Sequence, residues 1–179
     1  MWALVHQQLY NAGEAMLTGD KELAYKVISR ERRVNAFELK IDSDCEDIIA
    51  LYAPVAIDLR FVLAMYKINT NLERLGDFAE SIARFAGNLP EGEPIDPQLV
   101  KETRVEEMLS ELLSMISLTK EAFEKESSEI ASRIFLKDNL IDEINHNSTA
   151  IIAKYIEEHK GSALAGLYLS LIHISEPTR

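Results

Sequence analysis

Glycine and proline are scarce, seven and five in 179 residues, and three of the prolines (Pro90, Pro94, Pro97) crowd into the stretch Leu89 to Pro97. That leaves one obvious linker, residues 89–97, with long uninterrupted elements on either side. The single cysteine, Cys45, excludes an intramolecular disulfide, and no basic stretch followed by an apolar signal core opens the chain, so the expected compartment is the reducing cytoplasm. Basic residues are outnumbered, 19 Lys and Arg against 30 Asp and Glu, and a formal net charge of -11 repels phosphate backbones and anionic lipid. Nucleic acid is therefore not an expected partner. The most apolar run, Ala163 to Ile174, falls short of the ~20 residues that cross a bilayer, so no direct membrane insertion is expected. G-x-S-x-G, a phosphate-cradling glycine loop and a Cys/His nucleophile pair are all missing, which gives enzymatic catalysis no foothold.

What the chain does have is apolar residues recurring at alternating spacings of three and four, the period of helices and not of strands. The fold class is all-α. Asp20 reads as the N-cap of a helix whose seam is Leu23, Val27, Val34, Phe37, Ile41, Cys45 and Ile48, ended by Pro54. The next helix carries an unbroken seam of Phe61, Met65, Ile68, Leu72, Leu75, Ala79, Ile82 and Ala86. Asp96 and Pro97 read as N-cap and first position of a helix running to about Glu126, and a fifth runs to about His159. An offset of about 107 residues carries Val27, Val34, Phe37, Ile41, Cys45 and Ile48 onto Ile134, Ile141, Ile144, Ser148, Ile152 and Tyr155, so the second half repeats the first. The expected architecture is two tandem three-helix bundles: residues 1–88, the linker 89–97, and 98–179. The second bundle reads as incomplete at its C-terminus, since the chain runs out at Ser175 to Arg179 where its last helix should carry its motif. The first helix reads as cropped at Met1.

Two acidic stripes stand out. Asn69, Glu73, Asp77 and Glu80 lie four, four and three apart on the third helix, and Glu31, Asn35, Glu38 and Asp42 lie four, three and four apart on the second. Both flank their seams in the same sense, and in an antiparallel pair such flanks meet. A turn centred near Ala53 pairs residues whose numbers add to about 106, which sets Glu31 near Leu75 and Asp77 near Ser29 and brings Glu31, Asn35, Glu73 and Asp77 together. Facing carboxylates raise one another's pKa unless a cation neutralises them, and oxygen ligands suit hard ions such as magnesium, calcium, manganese or iron. These four residues are a candidate metal site, set against the plain alternative of a solvated acidic surface. The repeat carries Glu31 and Asn35 onto Asp138 and Asp142, a second candidate pair.

Other features carry less. Arg60, Lys67 and Arg74 recur at sevens on the back of the third helix, where solvation is the ordinary fate of such charges. Glu143 and His146 form the E-x-x-H spacing of di-iron bundles, but Glu143 lies about opposite its seam, against an inward role. His6, His159 and His173 have no partner pattern, and Cys45 occupies a seam position, where a buried inert thiol is the default.

The stretch from Asp58-Leu59-Arg60 to Leu72-Glu73-Arg74-Leu75-Gly76-Asp77 resembles the signature of the PhoU family, as do Thr18 to Asp20, the Ala53 to Val55 turn and the duplicated layout. The resemblance implies two tandem three-helix bundles. It also implies an E(D)-x-x-x-D motif in each bundle that holds metal clusters, matched here by Glu73 and Asp77, with Asn71 where many relatives have Asp. The metal it implies is iron, manganese, zinc or magnesium. The function it implies is negative regulation of phosphate uptake and of the Pho regulon, through contacts with the Pst phosphate ABC transporter ATPase and a sensor histidine kinase, as a homodimer. A PhoU-like regulatory domain of a sodium/phosphate cotransporter is the alternative.

Overall fold

The computed structural model describes residues 1–89 and 95–159, and every regular element among them is an α-helix. Residues 90–94 of the linker, the apolar run 163–174, His173 and the place of the expected last motif lie outside the described residues.

The first helix, α1 (Trp2–Thr18), ends where Gly19 enters the left-handed region at φ 71, a conformation that only a residue without Cβ adopts freely. Asp20 then caps α2 (Lys21–Tyr52), its Oδ1 accepting the Leu23 N–H at 2.9 Å. Ala53 turns the chain at φ 44, Pro54 cannot continue a helical ladder, and α3 (Ala56–Asn88) returns antiparallel to α2. These three helices pack against one another, with Val5, Leu9, Val27, Val34, Leu72, Ala79 and Ala86 in their core. Gln8, fully buried, ties α1 to α2 by donating from Nε2 to the Val27 carbonyl at 2.8 Å.

Length decides how much of the seam is covered. At 17 residues α1 is about 25 Å long, whereas α2 at 32 residues is about 48 Å, so α1 shields only the half of the α2–α3 hairpin remote from its turn. The seams are buried mainly in that half, with Cys45 the seam residue still buried nearer the turn. Toward the turn Phe37, Ile48 and Phe61 are 41%, 40% and 52% exposed. Phe61 instead stacks on Phe123, ring centroids 5.5 Å apart.

The single helix expected from Asp96 to about Glu126 is two helices. Asp96 does cap its start, accepting the Gln98 N–H at 2.8 Å, but α4 (Pro97–Glu102) stops at Thr103, and Arg104 takes φ 52 before α5 (Val105–Glu124) begins. Three side chains hold the break. The Thr103 hydroxyl donates back to the Leu99 carbonyl at 2.7 Å. Arg104 grips Glu107 at 2.7 and 2.9 Å and reaches Glu143 at 3.2 Å. The Thr103 carbonyl accepts the Ser148 hydroxyl at 2.9 Å. Ser148, the one polar residue on the repeated seam, is 1% exposed, and its single hydroxyl proton is shared between the Thr103 carbonyl at the break, 2.9 Å away, and the Ile144 carbonyl of its own helix, 2.7 Å away. The last described helix, α6 (Ser128–Glu158), is capped by Ser127 and packs on α5 with Ile144 and Ile152 buried. α5 also lies along α1, so near at Gly13 that a Cβ there would stand 2.9 Å from Leu109 Cδ1. Among the described residues no helix is long and apolar enough to cross a membrane.

Ser148→Ala strands the Thr103 carbonyl in the core while removing little volume. It should destabilise the protein by about 1–3 kcal/mol, read as a lower denaturant midpoint with an unchanged slope.

Candidate functional site

The acidic flanks of α2 and α3 do face each other. Asn69 on α3, 2% exposed, donates its amide across the groove to the Glu38 carbonyl at 2.9 Å and to Asp42 Oδ1 at 2.7 Å. Val34 of α2 meets Gly76 of α3, where an added Cβ would stand 2.8 Å from Val34 Cγ1.

The register differs from the expected one by about a helical turn. Side chains lean toward their helix's N-terminus, so on α2 they reach away from the turn and on α3 toward it, and facing residues add to about 110 rather than about 106. Glu31 therefore sits by Asp77 and Glu80, not by Leu75, and Glu73 sits by Glu38. The four expected residues share one groove, and Glu38 and Glu80 complete it.

Burial and like charge act together there. Glu31 is 8% exposed, and its carboxyl is pushed above the ordinary range first by burial and then by the charges of Glu80 and Asp77, while Asn35 and Arg84 pull the other way. Glu73 is pushed from an ordinary 4.5 to about 7, by burial first, then by the charges of Asp77 and Glu38, a hydrogen bond with Asp77, and the charge of Glu31. Of the four buried side-chain oxygens without a hydrogen-bond partner among the described residues, three lie in this groove: Glu31 Oε1, Asn35 Oδ1 and Asn69 Oδ1. Unpaired buried oxygens beside carboxyls whose pKa is raised by burial and by one another's charge fit a cation, whose charge would discharge both penalties. As the side chains stand, no three His, Cys, Asp or Glu groups among the described residues lie close enough to hold a metal; the donors run as a stripe, interleaved with amide oxygens.

Arg84 had no place in the sequence argument. Its Nη2 binds Glu80 Oε1 at 2.6 Å and so neutralises the end of the stripe nearest Glu31. The signal was present, since glutamate followed by arginine four residues on is a standard helical ion pair. Cys45 is buried, its thiol pushed up by burial and then by the charges of Asp42 and Asp44, which leaves it protonated and outside the donor set.

The remaining candidates are scattered. Asp138 is half-buried and Asp142 exposed on α6, where the ion pair to α5 is made by their neighbour Lys137 with Glu111. The helix expected to face them lies outside the described residues. Asn71 is exposed and donates to the Lys67 carbonyl of its own helix at 2.9 Å. Arg60, Lys67 and Arg74 are exposed, and Glu143 and His146 are exposed, with Glu143 held by Arg104.

Fold and groove together define a class: an all-helical bundle protein that presents carboxylate and amide oxygens between two antiparallel helices. A family model for the PhoU domain matches residues 1–86 and 105–176. A phosphate-specific transport system accessory protein PhoU homolog from Aquifex aeolicus is 33% identical over 174 residues, 96% of this chain and 76% of its own length. The crystal structure of PhoU from Pseudomonas aeruginosa has a TM-score of 0.85 at 27% identity, over 97% of this chain and 85% of that one. That of the phosphate transport system regulatory protein PhoU from Streptococcus pneumoniae has a TM-score of 0.79 at 25% identity, over 97% and 83%. The chain belongs to the PhoU family.

The raised pKa of Glu73 fixes a pH dependence. Its folded value of about 7 stands above the ordinary 4.5, so the folded state holds the extra proton between those values, and the stability this contributes is complete below about 4.5 and lost as pH rises through about 7. Thermal melts of metal-free protein should fall in midpoint across that window. Glu73→Gln should flatten the fall; a wild-type midpoint that does not drop would contradict the cluster's electrostatics.

Proposed function

We propose that this protein is a metal-binding regulator of phosphate uptake and Pho regulon signalling that works through protein contacts. Family membership carries the regulatory part, since the Aquifex aeolicus relative is named an accessory protein of phosphate-specific transport and the Streptococcus pneumoniae structure a regulatory protein of phosphate transport. The metal part rests on the unpartnered Glu31 Oε1, 92% buried among carboxylates that repel it.

Glu31, Asn35, Glu38, Glu73 and Asp77 are the residues that would hold the cation. All their donors are oxygens, which favours hard ions such as magnesium, manganese or iron(III) over copper. When bound, the ion would supply positive charge that offsets the repulsion among these carboxylates, favours the ionised form of Glu73, and pins α2 to α3. Each of these residues sits on a long helix whose backbone is already hydrogen-bonded, so the groove is a rigid clamp and not a mobile loop. The proposed partners are the Pst transporter ATPase and a sensor histidine kinase, and both would read the surface of the clamped bundle.

The double variant Glu73→Ala/Asp77→Ala separates these parts. Purified from phosphate-replete cells, it should carry no metal by elemental analysis while keeping its helicity by circular dichroism, because both residues lie on a polar flank. Tagged wild type should co-purify the transporter ATPase, and the variant less of it. Unchanged metal content removes the metal part; a wild type that never brings down the ATPase removes the regulatory contact.

A further inference from the structure

Gly76 lies at the centre of the groove. It stands directly before Asp77 and one turn after Glu73, and it meets Val34, which stands directly before Asn35 and one turn after Glu31. The contact is thus bracketed on each helix by two of the candidate donors. A Cβ built on Gly76 would lie 2.8 Å from Val34 Cγ1 and 3.5 Å from both Val34 Cβ and Cγ2, so no alanine fits while the helices keep their spacing.

Val34 cannot step aside. It is fully buried, and as a β-branched residue on a helix it is confined to essentially one rotamer, so turning one methyl away brings the other in. Glycine is also a poor residue for a helix interior, and its place in the middle of a 33-residue helix needs a packing reason. The close approach of α3's backbone to Val34 is that reason.

We propose that Gly76, seated on Val34, is the positioning residue of the carboxylate groove: it sets the distance between α2 and α3 at the height where the donors converge, and thereby sets the groove's affinity for a hard divalent cation. This rests on the metal reading above. Donors on both helices must converge on one ion, and a methyl wedged at the Gly76–Val34 contact moves two of them away from the other two at once. Gly76 itself supplies no ligand atom, so its effect passes entirely through Glu31, Asn35, Glu73 and Asp77.

The test is a double-mutant cycle on the full chain, with manganese(II) as the probe, affinity by calorimetric titration and helicity by circular dichroism well below the melting temperature. Gly76→Ala should bind at least tenfold more weakly than wild type at unchanged helicity. Val34→Ala, which clears the room the new methyl needs, should restore affinity in the Gly76→Ala background to within about threefold of wild type, a strongly non-additive result. A merely structural role would lower the melting temperature without this pattern in affinity. Should Gly76→Ala fail to fold, Val34→Ile presses on the same contact from the other helix and should weaken binding in the same direction. Equal manganese affinity in wild type, Gly76→Ala and Val34→Ile overturns the inference and leaves the metal reading standing. A wild type that binds no manganese overturns both.

Discussion

The closeness of α2 and α3 governs the rest of the structure. Where the α3 backbone at Gly76 rests on Val34, the apolar seams of both helices close against α1, with Val27, Leu72, Ala79 and Ala86 buried behind. The same closeness forces the acidic flanks together. Apolar burial at roughly 1.5–3 kcal/mol for each large side chain favours the contact, and carboxylate repulsion opposes it. The compromise is visible in the protonation of Glu73, which keeps its proton to about pH 7, and in Arg84, which neutralises Glu80.

Much of this was legible from residue order. Helical period, the caps at Asp20 and Asp96 and the turn at Ala53 follow from local chemistry and stand as expected. The facing of the two acidic stripes followed from their sense relative to the seams, and the Asn69 bond to Asp42 across the groove bears it out. Their register was displaced because counting Cα positions from the turn ignores the lean of side chains toward each helix's N-terminus. That lean shifts the pairing by about a turn and moves Glu38 and Glu80 into the cluster.

What stayed hidden depends on distant residues. Nothing at Thr103 and Arg104 marks a helix break, for neither is glycine or proline, and the break is stabilised by Ser148 and Glu143 some forty positions on. The seam pattern also could not say which of its residues are covered, because coverage depends on the length of α1 and not on α2 or α3. The outer half of the hairpin therefore carries Phe37, Ile48 and Phe61 at the surface despite their place in the pattern. The two halves of the repeat differ in the same respect. Glu31 and Asn35 meet a facing stripe, whereas Asp138 and Asp142 share their helix with Lys137, which pairs with Glu111. Among the described residues the facing acidic stripes and the unpaired buried oxygens lie in the first bundle.

The most direct measurement of the central claim counts protons. Manganese(II) titrated into metal-free protein by calorimetry at about pH 6.5, in two buffers of different ionisation enthalpy, reports how many protons leave as the ion enters. A cation seated between α2 and α3 must displace the proton held by Glu73, so the account predicts release of roughly one proton per site. Binding heats that do not depend on the buffer, or no binding at all, would contradict it.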